Sequence, residues 1–186
     1  MLGRFGIPQP GSYFTAEELI QEMDYFGINQ ALVYHSLAKE YSPTFGNKLL
    51  LEEIQGRDRL HACWVVLPHH TGEMPPPRRL VEEMREHNVR AVRLFPGADH
   101  QRFSLSDWSL GELYEALEEH RIPIFIGYDQ INWDRVHDLC QAHPNLPLIL
   151  NEVRYEENRH LYPLFESFDN LFIDIAWYPV HRGIEA

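Results

Sequence analysis

Basic charge is what this chain has least of: Asp and Glu outnumber Lys and Arg 28 to 16, for a formal net charge of -12. Such a surface repels phosphate backbones and anionic headgroups, so neither a nucleic-acid nor a membrane partner is expected. Long apolar runs are lacking too. No stretch approaches the ~20 residues that cross a bilayer, and no basic flank with an apolar signal core opens the chain, which makes the cytoplasm the expected location. Cysteine is scarce: Cys63 lies in a strand-like run and Cys140 near a helix end, at a spacing that suggests neither a disulfide framework nor a zinc knuckle. Histidine is plentiful, with 11 residues, yet none falls in His-x-His or His-Glu-x-x-His. Glycine-rich phosphate loops are absent as well. No apolar run is followed by Gly-x-Gly-x-x-Gly or Gly-x-x-x-x-Gly-Lys.

What is present is a regular alternation of helix and strand patterns. Thr15 and Glu18 form a capping box, Leu19, Ile20, Met23 and Phe26 recur at helical spacing, and Gly27 ends the segment. The short apolar run Ala31 to Tyr34 then reads as a strand buried on both faces. The alternation continues with helix Asn47 to Ile54 and strand Ala62 to Leu67, then helix Arg79 to Glu86 and strand Val89 to Phe95. Helix Leu110 to Glu119 precedes strand Ile122 to Ile126, and helix Trp133 to Ala142 precedes strand Leu146 to Leu150. Helix Glu157 to Phe168 with strand Leu171 to Ile175 closes the series.

Uninterrupted apolar strands joined through helices pair in parallel, with helices covering the sheet. The length and the 44% hydrophobic content suit a single α/β domain over residues 1–186. Two folds meet this pattern, a doubly wound open sheet and part of a (β/α)8 TIM barrel, whose full form needs about 250 residues. The missing phosphate loops favour the barrel. On that reading the chain is an incomplete barrel of about six strands.

Several stretches carry a family resemblance. In chain order, "FTAEELIQEMDYFGINQALVYHS", "VEEMREHNVRAVRLFP", "ALEEHRIPIFIGY", "LCQAHPNLPLILNEV" and "FDNLFIDIAWY" resemble strands two to seven of the amidohydrolase-related (amidohydrolase 2) family of metal-dependent TIM-barrel hydrolases. The resemblance implies a fold, a divalent metal such as zinc as cofactor, and a hydrolytic or decarboxylating reaction on a small molecule. In that family the first strand carries a His-x-His pair, the fifth and sixth strands end in histidine, and an aspartate closes the eighth. The stretch "MLGRFGIPQPGS" looks like the loop after the first strand, and "YPVHRGIEA" lies just beyond the seventh. The chain is therefore expected to be truncated at both ends, or else complete and able to form a homo-oligomer through open sheet edges. Gly127 stands where the fifth-strand histidine is expected, and Asn151 or Glu152 where the sixth-strand histidine is expected. Glycine offers no ligand atom, so no metal ligands are assigned.

In a barrel of this kind the loops after the strands form the active face. Strand-end candidates are His35, His69, His70, Arg93, Tyr128, Asp129, Glu152, Arg154, Asp174 and Trp177. Glu152, Asp174 and His35 are the expected catalytic residues, as general acids or bases. Arg93, His70, Tyr128, Arg154 and Trp177 are the expected substrate-binding residues. Arg93 in "AVRLFP" and Asp174 in "FIDIA" are charges within apolar runs; Arg93 calls for an anionic ligand or an internal salt bridge with Glu152 or Asp174, and Asp174 for paired burial. The leading expectation is a metal-assisted hydrolase of the amidohydrolase type. The alternatives are a catalytically silent relative that binds a small anionic ligand, and a fragment.

Overall fold

The computed structural model describes residues 1–3 and 13–176. The chain divides into two compact units, Met1–Arg93 and Leu94–Ala186. Within each unit the strands pair with their neighbours in the chain, and every such pairing among the described residues is parallel.

The first unit opens on α1 (Ala16–Phe26). The Thr15 hydroxyl accepts from the Glu18 backbone N–H at 3.2 Å, and the Glu18 carboxylate accepts from the Phe14 N–H at 2.9 Å. Gly27, at φ 69, ends the helix in the left-handed conformation that glycine adopts without strain. Ala16, Leu19 and Met23 form its buried stripe. After β1 (Ala31–Val33) comes a single-turn helix, α2 (Ser36–Glu40), that the hydrophobic pattern does not announce. It is followed by α3 (Pro43–Ile54), which begins earlier than the apolar periodicity suggests, because Ser42 caps it and Pro43 supplies a preset first turn. Next come β2 (Leu60–Val65), α4 (Pro77–Glu86) and β3 (Ala91–Leu94). Ala31 pairs with Leu60, and Val65 with Arg93. Residues Ala62 to Val66 are buried without interruption, as parallel strands covered on both faces should be. Leu2 lies beside the end of β1, its N–H donating to the Tyr34 carbonyl and its carbonyl accepting from Ser36 N–H.

The second unit contains α5 (Asp107–Glu119), β4 (Ile124–Gly127), α6 (Trp133–Ala142), β5 (Leu148–Asn151), α7 (Asn158–Ser167) and β6 (Leu171–Ile173). Tyr114, Leu117, Ile124, Ile126 and Leu150 are fully buried between helix and sheet. Asn170 fastens the turn before β5 to the start of β6. Its amide donates to the carbonyls of His143 at 2.8 Å and Leu146 at 3.1 Å. Strand positions agree with the sequence reading to within about two residues, the ordinary uncertainty of element ends. Leu32 in β1 and Phe172 in β6 remain about half exposed, at 46% and 48%. Among the described residues no helix is long and apolar enough to cross a membrane.

Candidate functional site

In the second unit the parallel register brings three residues to one level at the strand ends. Gly127 pairs with Asn151, and Asp174 stands one position beyond the Leu150–Ile173 pair. Asn151 is buried, at 8% exposure, and its amide nitrogen donates to Asp174 Oδ2 at 2.7 Å. The same oxygen accepts from Glu152 N–H at 3.0 Å, and Asp174 Oδ1 accepts from Ala176 N–H at 3.2 Å. Asp174 thus works as a clamp that ties the end of β5 to the end of β6. The Asn151 side-chain oxygen is buried with no hydrogen-bond partner among the described residues. Glu152 sits at φ 62, a left-handed conformation unusual for a residue with a β-carbon, and its side chain is exposed.

Space around Gly127 is occupied from the following 3-10 turn, Tyr128–Gln130. A β-carbon at Gly127 would lie 2.8 Å from Asp129 Oδ1 and 3.0 Å from Gln130 Nε2. Asp129 and Gln130 therefore fill the place that a longer side chain would take. Gln130 also accepts from Gly97 N–H at 3.4 Å and lines a cavity of about 240 Å³ together with Ser104, Ser106, Asn132 and Arg135. The Arg135 guanidinium is held by Leu105 O at 2.6 Å and Asp107 at 2.7 Å. Gln130 and Arg135 carry no signal in the sequence, because Gln130 looks like an ordinary turn residue and Arg135 like an ordinary residue of the first turn of α6 until the fold sets both on one cavity. Arg154, at the cap of the turn Tyr155–Glu157, is exposed, and Tyr128 is half-buried. Trp177 lies outside the described residues.

The first unit places Tyr34, His35 and Arg93 at the ends of β1 and β3. The half-buried Arg93 guanidinium lies 5.0 Å from the centroid of the Tyr34 ring, a cation–π geometry. His35 is buried and caps α2, its Nδ1 accepting from Leu37 N–H at 3.1 Å. The neutral ring therefore carries its proton on Nε2, which packs against Gly3. Burial lowers the affinity of His35 for a second proton. His70 is exposed in the turn His69–Thr71, its ring 4.3 Å from that of His69. Burial also pushes the Cys63 and Cys140 thiols up to about 12, so neither supplies a thiolate nucleophile at neutral pH.

Neither a protein-family model nor a curated protein matches the chain. Solved structures do match. An uncharacterized TIM-barrel protein, Bb4693 from Bordetella bronchiseptica, aligns over 86% of this chain with a TM-score of 0.63 and 18% identity. Dihydroorotase from Campylobacter jejuni aligns over 71% (TM-score 0.52, 12% identity), and an amidohydrolase from Burkholderia multivorans over 75% (0.50, 14%). The likeness is one of fold. The chain has a TIM-barrel-like fold in common with these structures and spans 58%, 40% and 46% of their respective lengths.

The metal implied by the resemblance can be tested against the residues present. A centre of that kind draws imidazole or carboxylate donors from the strand ends, and Gly127 and Asn151 offer neither. Among the described residues no group of three or more His, Cys, Asp or Glu is placed to hold a metal. The described strand ends do not fit the group.

Proposed function

We propose that this protein is a ligand-binding relative of the TIM-barrel hydrolases that takes up a small anionic molecule in its first unit, at Arg93, without a metal; the observation that carries the reading is the Arg93 guanidinium set against the Tyr34 ring. In the second unit, the in-register pair Gly127 and Asn151, a residue with no side chain beside a neutral amide, supports the lack of a metal. Arg93 supports the sign of the ligand. A half-buried guanidinium backed by the Tyr34 ring presents a planar fork suited to a carboxylate. His70, in the same unit, is a further binding group in this proposal.

A calorimetric titration with benzoate tests it. Binding should be saturable, weakened more than about tenfold in Arg93→Gln, and less affected in Arg93→Lys, which keeps the charge. Equal affinity in all three proteins refutes the assignment.

The metal-assisted hydrolase is the second reading, favoured by Asp129, whose carboxylate stands where a Gly127 side chain would be. Equilibrium dialysis against zinc separates the two. One tightly held equivalent, lost in Asp129→Asn while the fold persists, would establish the hydrolase reading and overturn the metal-free one.

A further inference from the structure

The cavity of about 240 Å³ in the second unit lies between the stretch that leads into α5 and the start of α6. Ser104, Ser106, Gln130, Asn132 and Arg135 line it, and Arg135 is the one charged residue among the lining. The Arg135 guanidinium is held in a fixed position. Its Nε and Nη2 donate to the Leu105 carbonyl at 3.0 and 2.6 Å, and Nη2 also donates to Asp107 Oδ1 at 2.7 Å. The buried Tyr114 sends its hydroxyl to the same Leu105 carbonyl at 2.8 Å, and its ring centroid lies 6.0 Å from the guanidinium carbon. Nη1 keeps both of its hydrogens, with no acceptor for either among the described residues.

What the neighbouring side chains leave over is donors. Their acceptors already serve backbone N–H groups: Gln130 Oε1 accepts from Gly97 at 3.4 Å, Asn132 Oδ1 from Arg135 at 2.7 Å, and Ser104 Oγ from Ser106 at 3.1 Å. A backbone N–H can only donate, so both amides are oriented with their NH2 groups unengaged. The Ser106 hydroxyl makes no capping bond to α5. An occupant can reach these atoms, since Arg135 Nη1, Gln130 Nε2 and Ser106 Oγ are not sealed from solvent and Asn132 is exposed. One cation, two amide NH2 groups and two hydroxyls, with no carboxylate in the lining, call for an occupant rich in acceptors and negative in charge. Asp107 engages Nη2 and is not part of the lining. The acidic surface offers an anion no long-range attraction, so binding depends on these short contacts. Donors from the stretch 104–106, from Gln130 and from α6 surround the space instead of sharing a plane, which suits a tetrahedral anion better than a flat one. The volume falls below the roughly 300–1,000 Å³ of drug-sized sites, so the anion is small.

We propose that this cavity binds a small tetrahedral oxyanion, inorganic phosphate or the phosphoryl group of a small phosphate ester, through Arg135 Nη1, the amide nitrogens of Gln130 and Asn132 and the hydroxyls of Ser104 and Ser106. The site is separate from Arg93 and independent of the metal question.

The probes are inorganic phosphate, glycerol phosphate and, as a flat control, acetate, each titrated by calorimetry into the full chain in a chloride buffer. Phosphate should bind saturably, one equivalent per chain, and more tightly than acetate. Asn132→Asp should weaken it more than about tenfold while the thermal melt stays native, because aspartate still caps α6 and replaces a donor by a carboxylate. Ser106→Ala removes a hydroxyl that caps nothing and should weaken phosphate binding about three- to tenfold. Arg93→Gln should leave phosphate binding unchanged, which keeps the two anion sites apart. Glycerol phosphate bound more tightly than phosphate assigns the site to an ester, and the reverse order assigns it to the free ion; either supports the proposal. It is overturned if neither phosphate nor glycerol phosphate binds saturably, or if acetate binds as tightly as phosphate. Unchanged phosphate affinity in Asn132→Asp, or in Ser106→Ala should the first variant not fold, overturns it too, as does loss of phosphate binding in Arg93→Gln.

Discussion

Replacing Glu152 by glycine should make this protein more stable. Glu152 holds φ 62 at the end of β5, where a residue with a β-carbon pays about 1–2 kcal/mol relative to the right-handed region. Glycine removes that strain but returns roughly 0.4–1 kcal/mol as extra freedom of the unfolded chain. The difference is a net gain of about 0.5–1 kcal/mol, or ~1–4 °C in melting temperature for a chain of this size. The hydrogen bond from Glu152 N–H to Asp174, at 3.0 Å, involves the backbone and survives the substitution. Glu152→Ala is the control. It keeps the β-carbon, hence the strain, and should stay within about 0.5 kcal/mol of the unaltered protein. Urea unfolding followed by far-ultraviolet circular dichroism, with unchanged slope, measures all three. A loss of stability in Glu152→Gly, or an equal gain in Glu152→Ala, refutes the strain argument.

Asp174→Ala should destabilise the protein by about 2–4 kcal/mol, because it strands the buried Asn151 amide and the Glu152 N–H together; the urea midpoint reports it. Asn170→Asp should cost more than Asn170→Ala, itself worth about 2–3 kcal/mol, since a carboxylate would face the carbonyls of His143 and Leu146. For His35, burial holds the folded pKa below the ordinary 6.5, so the unfolded chain takes up the proton first on acidification. The His35 contribution is therefore intact above pH 6.5 and lost as pH falls from there toward the depressed folded value. In His35→Asn, whose amide oxygen can still accept from Leu37 N–H, urea midpoints measured across this window should lose that part of the slope.

Local chemistry made much of the fold legible. Thr15, Glu18 and Gly27 bracket α1 as read, and six apolar runs became six strands, because capping and burial on both faces act over a few residues. α2 escaped notice because one turn is too short for a periodicity and is nucleated by the His35 ring, an acceptor that cap preferences do not single out. At the site, Gly127 was recognisable as a position without a ligand atom. The clamp formed by Asp174 on Asn151 was not, since it joins residues 23 apart and depends on strand register. Arg93 was legible as a charge in an apolar strand, but its contact with Tyr34 comes from a different strand end. A groove of about 730 Å³ between α3 and α4, lined by Leu51, Trp64 and Leu80, had no sequence signature at all. Its helices carry ordinary amphipathic patterns, and only their separation creates the space.

Parallel strands that pair with their chain neighbours have a genealogical consequence. Within each unit a strand touches the one before and the one after, each joined to the next by a helical crossover. Among the described residues of each unit, no strand is threaded between two that are neighbours in the chain. A gene encoding such a chain can grow or shrink by one strand and its helix at an outer margin while every remaining pairing keeps its register. Duplication and deletion can then act on this architecture in whole increments, sparing lineages the rewiring that an interleaved sheet would demand.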